Sequence, residues 1–95
     1  MGIEDLCVIA YDIASDRRRY RLSRLLEGHG YRIQESVFEA WLSPDAQQQL
    51  LDKAAALIDP TLDRVVLYRM SKDDVERNKS LGCAQSTRNP DFHLV

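Results

Sequence analysis

The stretch "VIAYDIASDRRRYRLSRLL", residues 8–26, changes its hydrophobic period part-way, and that change decides the fold. Leu6 to Ile13 is rich in β-formers, is too short for a comfortable helix and ends at a polar turn, which predicts a strand. One face carries Cys7, Ile9, Tyr11 and Ile13, and the other Leu6, Val8 and Ala10 until Asp12 interrupts it. From Ser15 the spacing becomes helical. Ser15 is an N-cap, Leu22, Leu25 and Leu26 fall at core spacing, and Gly28 or Gly30 is the stop.

The same reading extends outward. Residues 31–42 hold Tyr31, Ile33, Val37, Phe38 and Trp41 and predict two strands reversing near Glu35-Ser36. "SPDAQQQLLDKAAALI" starts with a Ser43 cap and Pro44 at the first helical position, and Leu50, Leu51, Ala54, Leu57 and Ile58 make one apolar stripe. "DPTLD" is a turn, and Arg64 to Met70 is a further strand with apolar residues on both faces. Strand, helix, strand, strand, helix, strand is the α+β, ferredoxin-like βαββαβ order: a four-stranded antiparallel sheet with two helices on one face. Residues 71–90 are polar with turn formers, and the "FHLV" of residues 92–95 predicts a C-terminal tail strand.

At 95 residues the chain is predicted to be a single domain, with a core over about residues 6–70 and a tail over 71–95 that contacts a partner subunit. Helices on one face of a sheet should leave a polar second face, yet strands one and four are apolar on both sides. A second, identical sheet related by a two-fold axis is the simplest cover, so a homodimer is expected.

Thirteen Lys and Arg against 15 Asp and Glu give a formal net charge of -2, which excludes a generally basic nucleic-acid-coating protein and makes any nucleic-acid site local. No apolar run approaches the length of a membrane span. Cys7 and Cys83 fit no metal spacing, and no leader pattern opens the chain, so a cytoplasmic protein without a membrane partner is expected. Cys7 and Tyr11 read as core, His29 as a helix-end residue, His93 as part of the tail strand, and Asp73, Asp74 and Glu76 as a solvated charged stretch.

The charges after Asp12 are the informative ones. At about 100° per residue, Arg17, Arg21 and Arg24 gather on one side of the helix, whereas Arg18 falls in the middle of the apolar stripe, four residues before Leu22. A cation in the first turn opposes the helix dipole, so something must hold it. One reading is an Asp12–Arg18 salt bridge with the other arginines solvated. The other is phosphodiester chemistry, in which carboxylates hold a hard divalent cation and arginines take phosphate oxygens. One aspartate is a poor metal site, but a two-fold axis near the end of strand one would bring two copies of Asp12 together.

"YDIASDRRR", the leucine-bearing helix after it, "GYRIQESVFEAWLSP" and the late "VVLYRM" together resemble the small CRISPR-associated Cas-two (Cas2) family of spacer-acquisition proteins. The resemblance covers about residues 6–70 in order and spacing, and more loosely the chain to Gly82. It implies a ferredoxin-like homodimer in which Asp12 is the catalytic, metal-binding acid of a Mg2+ (or Mn2+) site shared between subunits. Arg17 and Arg18 match the family's basic, nucleic-acid-binding pair, and Tyr11, Ser36 and Phe38 match segments that support the site and the interface. It further implies CRISPR adaptation with the Cas-one (Cas1) integrase, and metal-dependent nuclease activity on RNA or double-stranded DNA. The alternatives are a non-catalytic DNA-binding scaffold of the integrase complex and a ferredoxin-like regulatory ligand-binding domain. The tail "CAQSTRNPDFHLV" departs most, with only "FHLV" matching the strand that such proteins lay on the partner's sheet.

Overall fold

The computed structural model describes residues 3–82. In chain order these form β1 (Asp5–Asp12), α1 (Asp16–Glu27), β2 (Tyr31–Gln34), β3 (Val37–Leu42), α2 (Pro44–Ala55), β4 (Arg64–Met70) and a short α3 (Lys72–Glu76). The sheet order is β2-β3-β1-β4, with every neighbouring pair antiparallel, as the ferredoxin-like reading expects. The tail strand expected at residues 92–95, Cys83 and His93 lie outside the described residues.

Both long helices begin where a side chain can take their orphan amide hydrogens. The Ser15 hydroxyl accepts from the Arg18 N–H, and the Ser43 hydroxyl from that of Ala46, with Pro44 at a position that needs no donor. Leu22 and Leu26 from α1, and Leu50 and Ala54 from α2, then bury against Cys7, Ile9, Tyr11, Phe38 and Ala40 in one core. Each fully buried leucine of this kind contributes about 1.5–3 kcal/mol of transfer free energy. Burial drives the Cys7 thiol up to about 11, with the neighbouring Asp5 charge adding to the effect, so it sits as a neutral core residue.

Gly30 marks a close approach between the α1–β2 turn and the sheet. A Cβ there would fall on the Glu39 carbonyl oxygen and within 2.8 Å of the Ala40 Cβ. No other residue fits without moving β3.

The opposite face of the sheet carries Leu6, Val8, Ala10 and Asp12 from β1, with Arg64, Val66, Tyr68 and Met70 opposite them on β4, and Val37, Glu39 and Trp41 on β3. Asp73, Asp74 and Glu76 are exposed, as expected of a solvated charged stretch, but residues 71–76 also form an element that was not expected. Ser71 and Asp74 form a reciprocal capping box that starts α3, which lies against β1 and β4 and buries Val75. Leu6 is 1% exposed although it faces away from α1 and α2. The middle of that face, Val8, Ala10, Val37 and Val66, is only half-buried, and Tyr68 is 56% exposed. Among the described residues no helix is long and apolar enough to cross a membrane.

Candidate functional site

Asp12 is the last residue of β1 and projects from the end of the sheet. Alternation puts it on the face that α1 and α2 leave uncovered, and it is exposed. Antiparallel pairing sets it directly opposite Arg64, the first residue of β4. These two residues, with Ala10, Tyr11, Val66 and Tyr68, line a shallow depression on that face.

The expected Asp12–Arg18 pair is not formed. The Arg18 guanidinium forks onto Asp63, its Nε donating to Oδ2 at 2.7 Å and its Nη2 to Oδ1 at 3.1 Å. The Asp63 carboxylate also accepts the backbone N–H groups of Ala14 at 2.9 Å and Asp59 at 2.8 Å. The physical reason is reach: α1 turns back under the sheet on its helix-covered side, where the loop before β4 lies, whereas Asp12 points to the other side. Arg18, with the backbone bonds helping, holds the Asp63 carboxyl far below the usual carboxylate range against the cost of its burial. Arg18 is thus a clamp between the β1–α1 turn and the start of β4. Asp63 was missed because "DPTLD" reads as a plain turn; the signal was the unexplained cation on the apolar stripe of α1.

Tyr11 braces the acid from beneath. Its backbone N–H donates to the Ser36 carbonyl and its hydroxyl to the Glu35 carbonyl, both at 3.1 Å, and its ring stacks on Phe38. Phe38 is 1% exposed on the helix side, so its support reaches Asp12 through packing. Ser36 takes part through its backbone carbonyl. Arg17 is exposed and, among the described residues, has no hydrogen-bond or ion-pair partner, and nor does the carboxylate of Asp12.

A carboxylate oxygen suits a hard divalent cation. However, no group of three or more His, Cys, Asp or Glu side chains able to hold a metal occurs among the described residues. Among the described residues, one chain would therefore offer such an ion Asp12 alone. Magnesium sites that use one or two carboxylates complete themselves with water and substrate phosphates, so the donor set fits such an ion once a second chain supplies another Asp12.

Comparison with known proteins bears on the family and the fold. The family model for CRISPR associated protein Cas2 matches residues 5–78. A CRISPR-associated endoribonuclease Cas2 of Chloroflexus aurantiacus is 35% identical over 88 residues, covering 93% of this chain and 95% of that protein. The crystal structure of hypothetical protein TT1823 from Thermus thermophilus superposes with a TM-score of 0.77 at 32% identity, covering 87% of this chain and 96% of that one. A chain of a partial Cas6-RT-Cas1–Cas2 complex does so at 0.72 and 28% identity, covering 96% and 98%.

Proposed function

Because the chain belongs to the CRISPR-associated Cas2 family, we propose that it serves CRISPR adaptation as a cytoplasmic homodimer able to cleave phosphodiester bonds in RNA or double-stranded DNA. The observation that carries the reading is Asp12: an exposed carboxylate that, among the described residues, has no partner and stands at the rim of a sheet face whose apolar middle those residues leave uncovered. Packing two such faces about a two-fold axis would bury Val8, Ala10, Val66 and Tyr68 and bring both acids to one seam. There the Asp12 pair would hold Mg2+ or Mn2+, which supplies Lewis-acid stabilisation of the phosphodiester. Arg64, opposite Asp12, and Arg17 would take phosphate oxygens. Arg18 would add only the Nη1 edge that Asp63 leaves free.

Support for an endoribonuclease activity comes from the name of the Chloroflexus relative. The likeness to a chain of a complex that contains Cas1 and Cas2 supports a second role, as a DNA-binding platform for Cas1 in which cleavage is dispensable.

Asp12→Asn tests the catalytic reading. It keeps shape and removes one charge per chain, so magnesium-dependent cleavage should fall by orders of magnitude. The thermal midpoint should not move, because no described residue pairs with the acid. Cleavage per folded dimer at the wild-type level would overturn the catalytic role. Absence of cleavage in both proteins, with spacer integration intact, would favour the platform.

A further inference from the structure

Among the described residues no side chain pairs with the Asp12 carboxylate, so whatever fixes its place acts through the backbone on either side of it. Up to Asp12 the sheet does this: Asp12 is in register with Arg64, and the Tyr11 N–H reaches the Ser36 carbonyl at 3.1 Å. β1 ends there, and α1 starts only at Asp16. A turn beyond the ladder shifts easily unless its polar groups are taken up.

Here they are taken up by side chains. The Ile13 carbonyl accepts from Arg19 Nη2 at 2.8 Å, and the Ala14 N–H donates to Asp63 Oδ1 at 2.9 Å, so the peptide joining Ile13 to Ala14 is gripped at both of its polar atoms. Asp63 carries the wider load. No part of its side chain reaches solvent, and its two oxygens gather four donors: the Ala14 N–H and Arg18 Nη2 on Oδ1, and Arg18 Nε and the Asp59 N–H on Oδ2. It is also the residue before Arg64. One buried carboxylate therefore ties down the turn two residues beyond Asp12 and the start of the strand that stands across from it.

We propose that Asp63 is a positioning residue for the Asp12 site: by binding the turn after β1 and leading directly into β4, it holds the Asp12 carboxylate and the Arg64 guanidinium at one spacing, suited to a divalent cation and to the phosphate oxygens beside it. Asp63 touches neither metal nor substrate. A displacement of about 1 Å at a reacting group can cost on the order of 100-fold in rate, and outer groups that orient a metal ligand are worth about 10- to 100-fold in metal affinity or activity. The role rests on the metal-dependent reading of Asp12 given above and extends it to the helix-covered side of the sheet.

Asp63→Asn is the informative change, because an amide presents one acceptor oxygen where four donors converge. Whichever way it turns, its NH2 faces one of the two backbone N–H groups and an arginine N–H. The full-length variant would be compared with the wild type at a temperature where circular dichroism shows both folded. Mn2+ alone, titrated without nucleic acid and followed by its paramagnetic resonance signal, should bind about tenfold more weakly. With a labelled RNA in saturating Mn2+, kcat should fall about 10- to 100-fold, while KM stays within about twofold because Arg17 and Arg64 keep their charges for the ground state. Ala54→Gly, a buried change on α2, supplies the contrast: it should lower the melting midpoint and leave Mn2+ affinity and cleavage per folded protein as in the wild type. Ala14→Pro, at an exposed position, removes only the N–H that Asp63 accepts and takes the place of Asp63→Asn where that variant does not fold. The positioning role is overturned if Asp63→Asn, or Ala14→Pro in its place, binds Mn2+ and cleaves as Ala54→Gly does. If Asp12→Asn itself binds Mn2+ as well as the wild type, the reading of Asp12 fails and the positioning role falls with it.

Discussion

At the scale of single residues, Arg18 and Asp12 exchange the roles that proximity in sequence suggests. A cation on the apolar stripe of α1 needs a partner, and that much is legible from the sequence. Which acid supplies it depends on which side of the sheet each residue faces. Asp63, forty-five residues downstream, is brought under α1 only once β4 pairs with β1. Sequence separation hid it. Arg64 was hidden for the opposite reason: it reads as one basic residue among several until antiparallel pairing places it across from Asp12. The clamp carries a pH dependence whose sign follows from its charge. The Asp63 carboxyl is held below its ordinary value of 3.8, so its contribution is complete above that pH and is lost as the solution is acidified towards the lowered native value. Denaturant midpoints measured from pH 7 down to pH 2 should keep the clamp's full contribution to about pH 4 and lose it progressively below that in the wild type. Asp63→Asn should start lower at pH 7, because it leaves Arg18 without its carboxylate, and should vary less below pH 4. Equal slopes in the two proteins would refute the clamp.

At the scale of elements, the strands and long helices were legible because local and tertiary signals agree. Ser15 and Ser43 are caps in fact, α1 ends against Gly28, and the reversal at Glu35-Ser36 is where β2 gives way to β3. α3 escaped because a five-residue helix has too little periodicity to detect. Its only mark was the Ser71–Asp74 spacing of a capping box, followed at once by Val75. Gly30 shows how tightly the elements are joined. Gly30→Ala must push β2 away from β3 or shift the α1–β2 turn, since backbone atoms of Glu39 and Ala40 stand in the way. Its cost should exceed the roughly 1–3 kcal/mol of ordinary overpacking. Gly28→Ala, where an added Cβ meets only the Leu25 carbonyl at 3.4 Å, should be far milder. Urea unfolding of the two variants side by side measures the difference, and similar midpoints would mean that the turn yields easily.

At the scale of the whole molecule, one sheet face is packed under two helices and the other, among the described residues, is closed only at the Leu6 end. That asymmetry was readable from apolar residues on both sides of β1 and β4; the extent of the uncovered patch was not, because α3 takes part of it. Tyr68 lies within the patch, so in the proposed homodimer Tyr68→Glu would put two charges into an apolar seam and should yield a monomer by light scattering at micromolar concentration. Retained dimers would relocate the interface. The single tryptophan, Trp41, lies on this same face, half-buried on β3. In the proposed homodimer this residue would be a built-in optical gauge: the colour of its indole emission would shift on dilution, as the two sheets separate, at protein concentrations where the far-ultraviolet signature of the backbone is unchanged.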